Sequence, residues 1–293
     1  MNSSRRPTSM RSSLLYFGYL LAGLVARAIP LCAALKLAHI VGWIWYAGSQ
    51  RLRANLDANL SLIPALAQDP SARARIARAN VRNFSEVVTE FLYLPRIGLE
   101  ALGRYVDPDS VERLKAMAGG RPALFVTPHV GNWELAAAAV AMTGFRLQVI
   151  VYDHPDKRIA AMFRRRREEK GLTMMSVKTA ARNLAAALGS ASVGMAGDRD
   201  YTGLGQPASL FGTPVRVPFA YAGLALSRAI DVIPACCVRK ADGKYHIESE
   251  GAVAVGREGT ADPMDLVAAC LRRFEKYIEK YPEQWYLFER LGD

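Results

Sequence analysis

A chain of 293 residues, 51% hydrophobic and 22% charged, has room for one large domain and an appendage; this excludes a disordered polypeptide and a pair of full enzymatic domains. Its 38 Lys and Arg against 27 Asp and Glu leave a net charge of +11, which calls for an acidic partner: nucleic acid, an anionic membrane surface or an acidic carrier protein. The four cysteines form no CxxC pair and no metal-ligand spacing with histidine, so Cys236 and Cys237, adjacent in an apolar run, read as buried reduced thiols of a cytosol-facing domain.

The chain starts with a basic leader (Arg5, Arg6, Arg11) and an apolar stretch over 14–47 that Arg27, Pro30 and Lys36 interrupt. Its uninterrupted part, 14–25, falls short of the roughly 20 residues a spanning helix needs. No A-x-A-like cleavage site follows, and a second apolar segment, 31–46, comes next. The pattern predicts membrane attachment, as a tilted anchor with Arg27 snorkelling or as two helices lying in the headgroup layer. If the segment spans, the basic leader keeps the N-terminus cytoplasmic.

Residues 50–96 are helical in period, broken at Pro64 and Pro70. From about Arg121, apolar strands alternate with helical stretches, the pattern of an α/β layer structure. Strands are expected at 123–127, 147–152, 192–196, 232–239 and 245–249, and helices at 132–142, 157–170, 180–188, 219–227 and 264–281. The Gly- and Pro-rich loop 198–218 is too long for a simple connection and is expected to carry function. The fold class is therefore α/β. One domain over 51–293, a mixed central sheet flanked by helices, follows a helical membrane-associated segment over 1–50.

The segment from Ala123 through His129-Val-Gly-Asn-Trp-Glu134 reads as strand, tight turn and helix start, with Asn132 as N-cap. Residues five apart in a continuous helix lie about 140° apart around the axis and would not meet. With His129 in the turn and Glu134 in the first helical turn, the side chains can converge. The carboxylate then fixes the imidazole tautomer and leaves the other ring nitrogen as general base. Gly131 allows close approach of backbone and substrate. His39, in the apolar segment, His154, in a polar loop, and His246, in an edge strand, read as structural. Zinc is disfavoured because no second histidine lies near His129 and there is no HExxH helix, so no metal is expected. A serine hydrolase is disfavoured by the lack of a GxSxG elbow.

These residues resemble the lysophospholipid acyltransferase superfamily, in particular its bacterial lipid A biosynthesis (lauroyl/myristoyl) branch and the related phosphatidylinositol mannoside acyltransferase. His129-Val-Gly-Asn-Trp-Glu134 resembles the H-x4-D/E motif. Arg53-Ala-Asn-Leu, Asn59-Leu and Pro64 resemble the N-terminal helix signature, and Arg167 with Gly171 an arginine site. Gly197-Asp-Arg-Asp-Tyr201 followed by Phe211-Gly-Thr-Pro resembles the acceptor-side loop, and Pro282-Glu-Gln-Trp285 the C-terminal element. One departure is Phe288-Glu289-Arg290, where members often carry His-Arg-Arg.

The resemblance implies an acyltransferase domain that moves a fatty acyl group from an acyl-carrier protein or acyl-CoA thioester to a hydroxyl of a glycolipid. A lipid A precursor comes first among acceptors, with a phosphatidylinositol mannoside or other lysolipid as the alternative. His129 would deprotonate the hydroxyl and Glu134 orient it, with no acyl-enzyme and no cofactor beyond the donor. Asn132, Arg164, Arg167, Asp198, Asp200 and Tyr201 form the expected substrate-binding set. Arg167 is the candidate for the oxyanion or an acceptor phosphate, and Asp198 and Asp200 would hydrogen-bond sugar hydroxyls. The rest of the run Arg164–Arg167 reads as a solvated, membrane-facing helix surface. Trp285 and Tyr286 read as interfacial aromatics or a packed helix end. A thioesterase or lipid hydrolase could use the same His/acid pair. A nucleic-acid module would explain the charge but not the motif, and no stacking pattern accompanies the charge. The expected partners are anionic membrane lipids, the acyl thioester carrier and the glycolipid, and the expected location is the bacterial inner membrane with the catalytic domain facing the cytoplasm.

Overall fold

The computed structural model describes residues 10–200, 202–253 and 262–292; Arg5, Arg6 and Tyr201 lie outside them, as does the side chain of Arg11. The helices are α1 (Met10–Ala28), α2 (Leu31–Gly48), α3 (Gln50–Leu60), α4 (Pro70–Tyr93), α5 (Leu99–Leu102), α6 (Pro108–Met117), α7 (Trp133–Met142), α8 (Lys157–Glu168), α9 (Val177–Ala187), α10 (Ala220–Arg228) and α11 (Pro263–Lys280). The strands are β1 (Leu124–Thr127), β2 (Leu147–Val151), β3 (Thr173–Ser176), β4 (Ser192–Ala196), β5 (Gln206–Leu210), β6 (Thr213–Val217), β7 (Val232–Pro234), β8 (Cys236–Arg239) and β9 (Tyr245–Glu248).

Five strands form one sheet in the order β3-β2-β4-β1-β7, and every pairing in it is parallel. The α/β class with flanking helices is as expected. Antiparallel pairing is found in the two ribbons β5–β6 and β8–β9 and in isolated bridges, one of them from Val232 of β7 to Val253. The single strand expected over 232–239 is divided at Ala235. Pro234 has no N–H to give, so β7 ends as an edge strand and β8 leaves to pair with β9. The expected loop over 198–218 instead holds the β5–β6 hairpin. Its two-residue turn, Phe211-Gly212, has positive φ at both positions (50° and 72°), the geometry that matches the twist of paired strands.

Strand β1 alternates its side chains between two cores. Leu124 and Val126 pack with Leu184, Tyr221 and Phe274, while Phe125 packs with Leu114, Leu135 and Ile233. Fully burying a side chain such as Phe274 contributes about 1.5–3 kcal/mol, so the two layers hold β1 rigidly at the centre. Of the two readings of Trp285 and Tyr286, interfacial aromatics or a packed helix end, their burial in this body agrees with the packed one. Cys236 and Cys237 are buried free thiols, raised well above their ordinary range by burial.

Pro30 separates α1 from α2, and both pack on α4. Helix α2 turns a face of small residues, Ala34, Ala38 and Gly42, toward the body, with Gly42 against Ser85 of α4. Its other face leaves Ile40, Trp43 and Ile44 exposed. With 18 residues at a mean hydropathy of 1.3, α2 is long and apolar enough to cross a membrane, whereas the apolar part of α1 is shorter. His39 on α2 bonds Glu86 of α4 at 2.5 Å, so a polar tie fixes α2 to the body at mid-helix.

Candidate active site

Thr127 and Ala196, the last residues of β1 and β4, are partners in the parallel ladder. The ladder runs one step further, with the Gly197 N–H donating to the Thr127 carbonyl at 2.9 Å. Both chains then leave the sheet at its carboxyl edge, where open α/β sheets bind their ligands. Two residues beyond each strand end stand His129 and Asp198. The Asp198 carboxylate accepts a bond from the His129 backbone N–H at 2.9 Å and meets ring Nδ1 at 2.7 Å.

The turn that carries His129 is fixed from outside. The His129 carbonyl accepts from the Tyr286 N–H at 2.8 Å, and the Gly131 N–H donates to the Gln284 carbonyl at 2.9 Å. The Asn132 N–H donates to the Cys237 carbonyl at 2.7 Å. Gly131 has φ +69°, and a Cβ there would lie 1.9 Å from the Cys237 oxygen, so only glycine fits. Helix α7 then starts on Asn132, whose side-chain oxygen accepts from the Leu135 N–H at 2.9 Å. The Asn132 amide also donates to the buried carboxylate of Glu90 at 2.9 Å.

Glu134 lies in the first turn of α7 and faces α8. Arg167 grips it with two prongs, Nε to Oε2 at 2.9 Å and Nη2 to Oε1 at 2.5 Å, over the ring of Phe91. The carboxylate on Nδ1 of His129 is thus Asp198, 69 residues away in sequence, while Glu134, expected in that role, is engaged by Arg167. The local spacing of His129 and Glu134 drew the expectation, and strand register decides the pairing.

Burial raises the Asp198 carboxyl, but the charge of His129, its two hydrogen bonds and the more distant Arg199 outweigh that and hold it below the ordinary range. Burial lowers the Arg167 guanidinium, and the hydrogen bonds and charge of Glu134, with Asp153 further off, hold it above its ordinary range. The Trp133 indole stands edge-on to His129, with centroids 5.1 Å apart, and closes one side of the imidazole.

The expected substrate-binding residues divide. Arg164 and Arg167 line one pocket with Tyr152, Asp153 and His154, and Arg164 approaches Asp153 at 3.5 Å. Asn132 is 1% exposed and spends both ends of its amide on the helix cap and Glu90, so it positions the turn. The Asp200 carboxylate accepts from the Thr202 N–H and hydroxyl and from the Gly205 N–H, holding its own loop together. Of the run 164–167, Arg165 is the exposed member, paired with Glu169; Arg166 is buried, against the expectation of a solvated surface.

Sequence reasoning missed Glu90, and it held Gln284 only as part of the C-terminal element, with no role of its own. Glu90 takes the Tyr245 hydroxyl at 2.8 Å, the Asn132 amide and the Arg239 guanidinium. The Gln284 side chain closes both backbone groups of Arg239, at 2.8 and 3.0 Å. A lone glutamate in the apolar stretch 87–92 of α4 was the available signal for the first.

Residues 4–291 match the family model described as bacterial lipid A biosynthesis acyltransferase. The chain is also similar to phosphatidylinositol mannoside acyltransferase of Mycolicibacterium smegmatis, 24% identical over 83% of this chain and 79% of that protein. The enzyme of the same name from Mycobacterium tuberculosis is 24% identical over 93% of this chain and 87% of that one.

Proposed function

Because the chain belongs to the bacterial lipid A biosynthesis acyltransferase family, we propose that it is a membrane-bound enzyme that moves a fatty acyl group from an acyl-carrier protein or acyl-CoA thioester to a hydroxyl of a bacterial glycolipid. The observation that carries the reading is the pairing of His129 with Asp198 at the carboxyl ends of two adjacent parallel strands. Asp198 accepts the Nδ1 proton and so presents the Nε2 lone pair as general base. As Nε2 takes the proton of the acceptor hydroxyl, the oxygen attacks the thioester carbonyl. The C–O bond forms, the tetrahedral centre collapses, the C–S bond breaks, and the imidazolium returns its proton to the departing thiolate. The buried Asp198 carboxylate stabilises the imidazolium meanwhile.

Arg167 and Glu134, on α8 and in the first turn of α7, act as a second unit. Glu134 fixes the guanidinium, and among the described residues Arg167 Nη1 has no bonding partner, so it remains to meet the oxyanion or an acceptor phosphate. Arg164 at the same pocket adds a second positive charge. The exposed apolar faces of α1 and α2 support attachment to the inner membrane, with the catalytic domain over 51–293 on the cytoplasmic side, where acyl thioesters are made.

A lipid A precursor is the first acceptor to test, from the family's description. The similarity to phosphatidylinositol mannoside acyltransferases favours a second, a mannosylated inositol lipid. Membrane-bound protein is given radiolabelled acyl-carrier protein or acyl-CoA with each glycolipid in turn. Label moving to a glycolipid only when that lipid is present supports the proposal and names the acceptor. Release of free fatty acid at the same rate without any acceptor would make the protein a thioesterase.

A further inference from the structure

Among the described residues the Arg166 guanidinium has no ion-pair partner. It is 9% exposed, and Nε has no hydrogen-bond partner. One long contact, Nη1 to the Met162 carbonyl at 3.4 Å, is the whole of its bonding among the described residues. No carboxylate there lies within ion-pair distance of it. The acid whose field reaches it is Glu169, and Glu169 is already bonded to Arg165 at 2.9 Å. Arg27 and Arg165 add repulsion to the cost of burial, and all three act against the guanidinium's charge. Guanidinium does not shed its proton to escape such a site, so an outside anion is the chemical answer.

The surroundings specify that anion. The Arg166 guanidinium is packed against α1 at Gly23, where an added Cβ would lie 2.6 Å from Nη2. One turn on, Arg27 lies in the last turn of α1, and Arg96 bonds its carbonyl. Leu20, Leu21 and Leu24, on either side of Gly23, are exposed. Apolar side chains beside a buried cation are complementary to a molecule with acyl chains and an anionic head. Arg167, the next residue, is bonded to Glu134 of α7, so this site lies on a different side of α8.

We propose that Arg166, with Arg27 beside it, binds the phosphate of an anionic membrane phospholipid whose acyl chains run along the exposed leucines of α1. The site rests on the reading of this segment as membrane-attached. It ties α8, which carries Arg167, to the bilayer at one lipid, in addition to the general attraction of a basic surface.

The test uses the full chain in uncharged detergent, without acyl donor, so its failure is separate from any failure of the acyl-transfer reading. Its thermal midpoint is followed while dihexanoyl phosphatidylglycerol is added; dihexanoylglycerol and inorganic phosphate at equal concentration are the comparisons. The expected result is a rise of about 5 °C at saturation with the phospholipid alone. Arg166→Met should keep or raise the lipid-free midpoint and lose the response, while Arg165→Met, with the same change of charge at an exposed position, should keep it. An equal response to inorganic phosphate would make this a free-anion site and overturn the lipid assignment. No response in the wild type, or a full response in Arg166→Met, would overturn the site itself. A lipid-free midpoint several degrees lower in Arg166→Met would show that the guanidinium is already satisfied within the protein, which also overturns it.

Discussion

His129 and Asp198 each stand two residues past a position paired in the sheet, Thr127 with Ala196, and they are joined twice, through the ring and through the backbone. The second bond matters as much as the first. By holding the His129 main chain at 2.9 Å, the carboxylate fixes where the imidazole starts as well as which way it points. A pair hung on parallel neighbouring strands needs no flexible loop to assemble it for the catalytic role proposed above.

The depressed carboxyl of Asp198 gives a pH dependence with a definite sign. Its folded value lies below the unfolded one, so its contribution to stability is complete above the ordinary Asp range and is lost as pH falls through the lower folded value. Acid titration of the thermal midpoint should therefore fall more steeply in the wild type than in Asp198→Asn below about pH 4. Parallel curves would contradict the pairing.

Glu134 and Arg167 should behave as one unit. Their side chains are 17% and 14% exposed, so removing either leaves a largely buried opposite charge. Glu134→Gln and Arg167→Met should each lower both stability and the rate of acyl transfer. In urea unfolding the double variant should recover about 1–3 kcal/mol of the summed losses. Strict additivity would mean that the pair is not coupled.

Gly131→Ala tests the turn. The positive φ and the clash with the Cys237 carbonyl act together, so a loss of more than about 2 kcal/mol is expected, with activity falling alongside. A stable, active Gly131→Ala variant would mean that the close approach to β8 is not needed.

Replacing Ile40 and Ile44, 56% and 58% exposed, by serine should weaken sedimentation with phospholipid vesicles by about tenfold or more, without lowering the thermal midpoint in detergent. Unchanged partition would remove α2 from the membrane contact.

Much of this was legible in the sequence, and the limits are physical. Strands β1 and β4 were readable as short apolar runs, and His129 was singled out by the strand–turn–helix context around it. What one chain read in order does not reveal is which strands are neighbours. The contact from His129 to Asp198 spans 69 residues, so the nearest acid, Glu134, took the role by default. Strand β3, Thr-Met-Met-Ser at the sheet edge, is too short to carry an alternation signal. The β5–β6 hairpin was hidden because Pro207 and Pro214 lie within its strands, which a two-stranded ribbon with open edges tolerates. Arg166 looked solvated because its run is uniformly basic, whereas in the fold it is buried and packed against Gly23 of α1.

The most direct test of the central claim is the rate of acyl transfer by Asp198→Asn beside wild type and His129→Ala, using the thioester and glycolipid that give the highest turnover. The account predicts that His129→Ala abolishes transfer and that Asp198→Asn lowers kcat by about 10²–10⁴ with little change in KM, because the tautomer and the imidazolium lose their support. Wild-type kcat in a folded Asp198→Asn variant would contradict it and return the orienting role to another carboxylate.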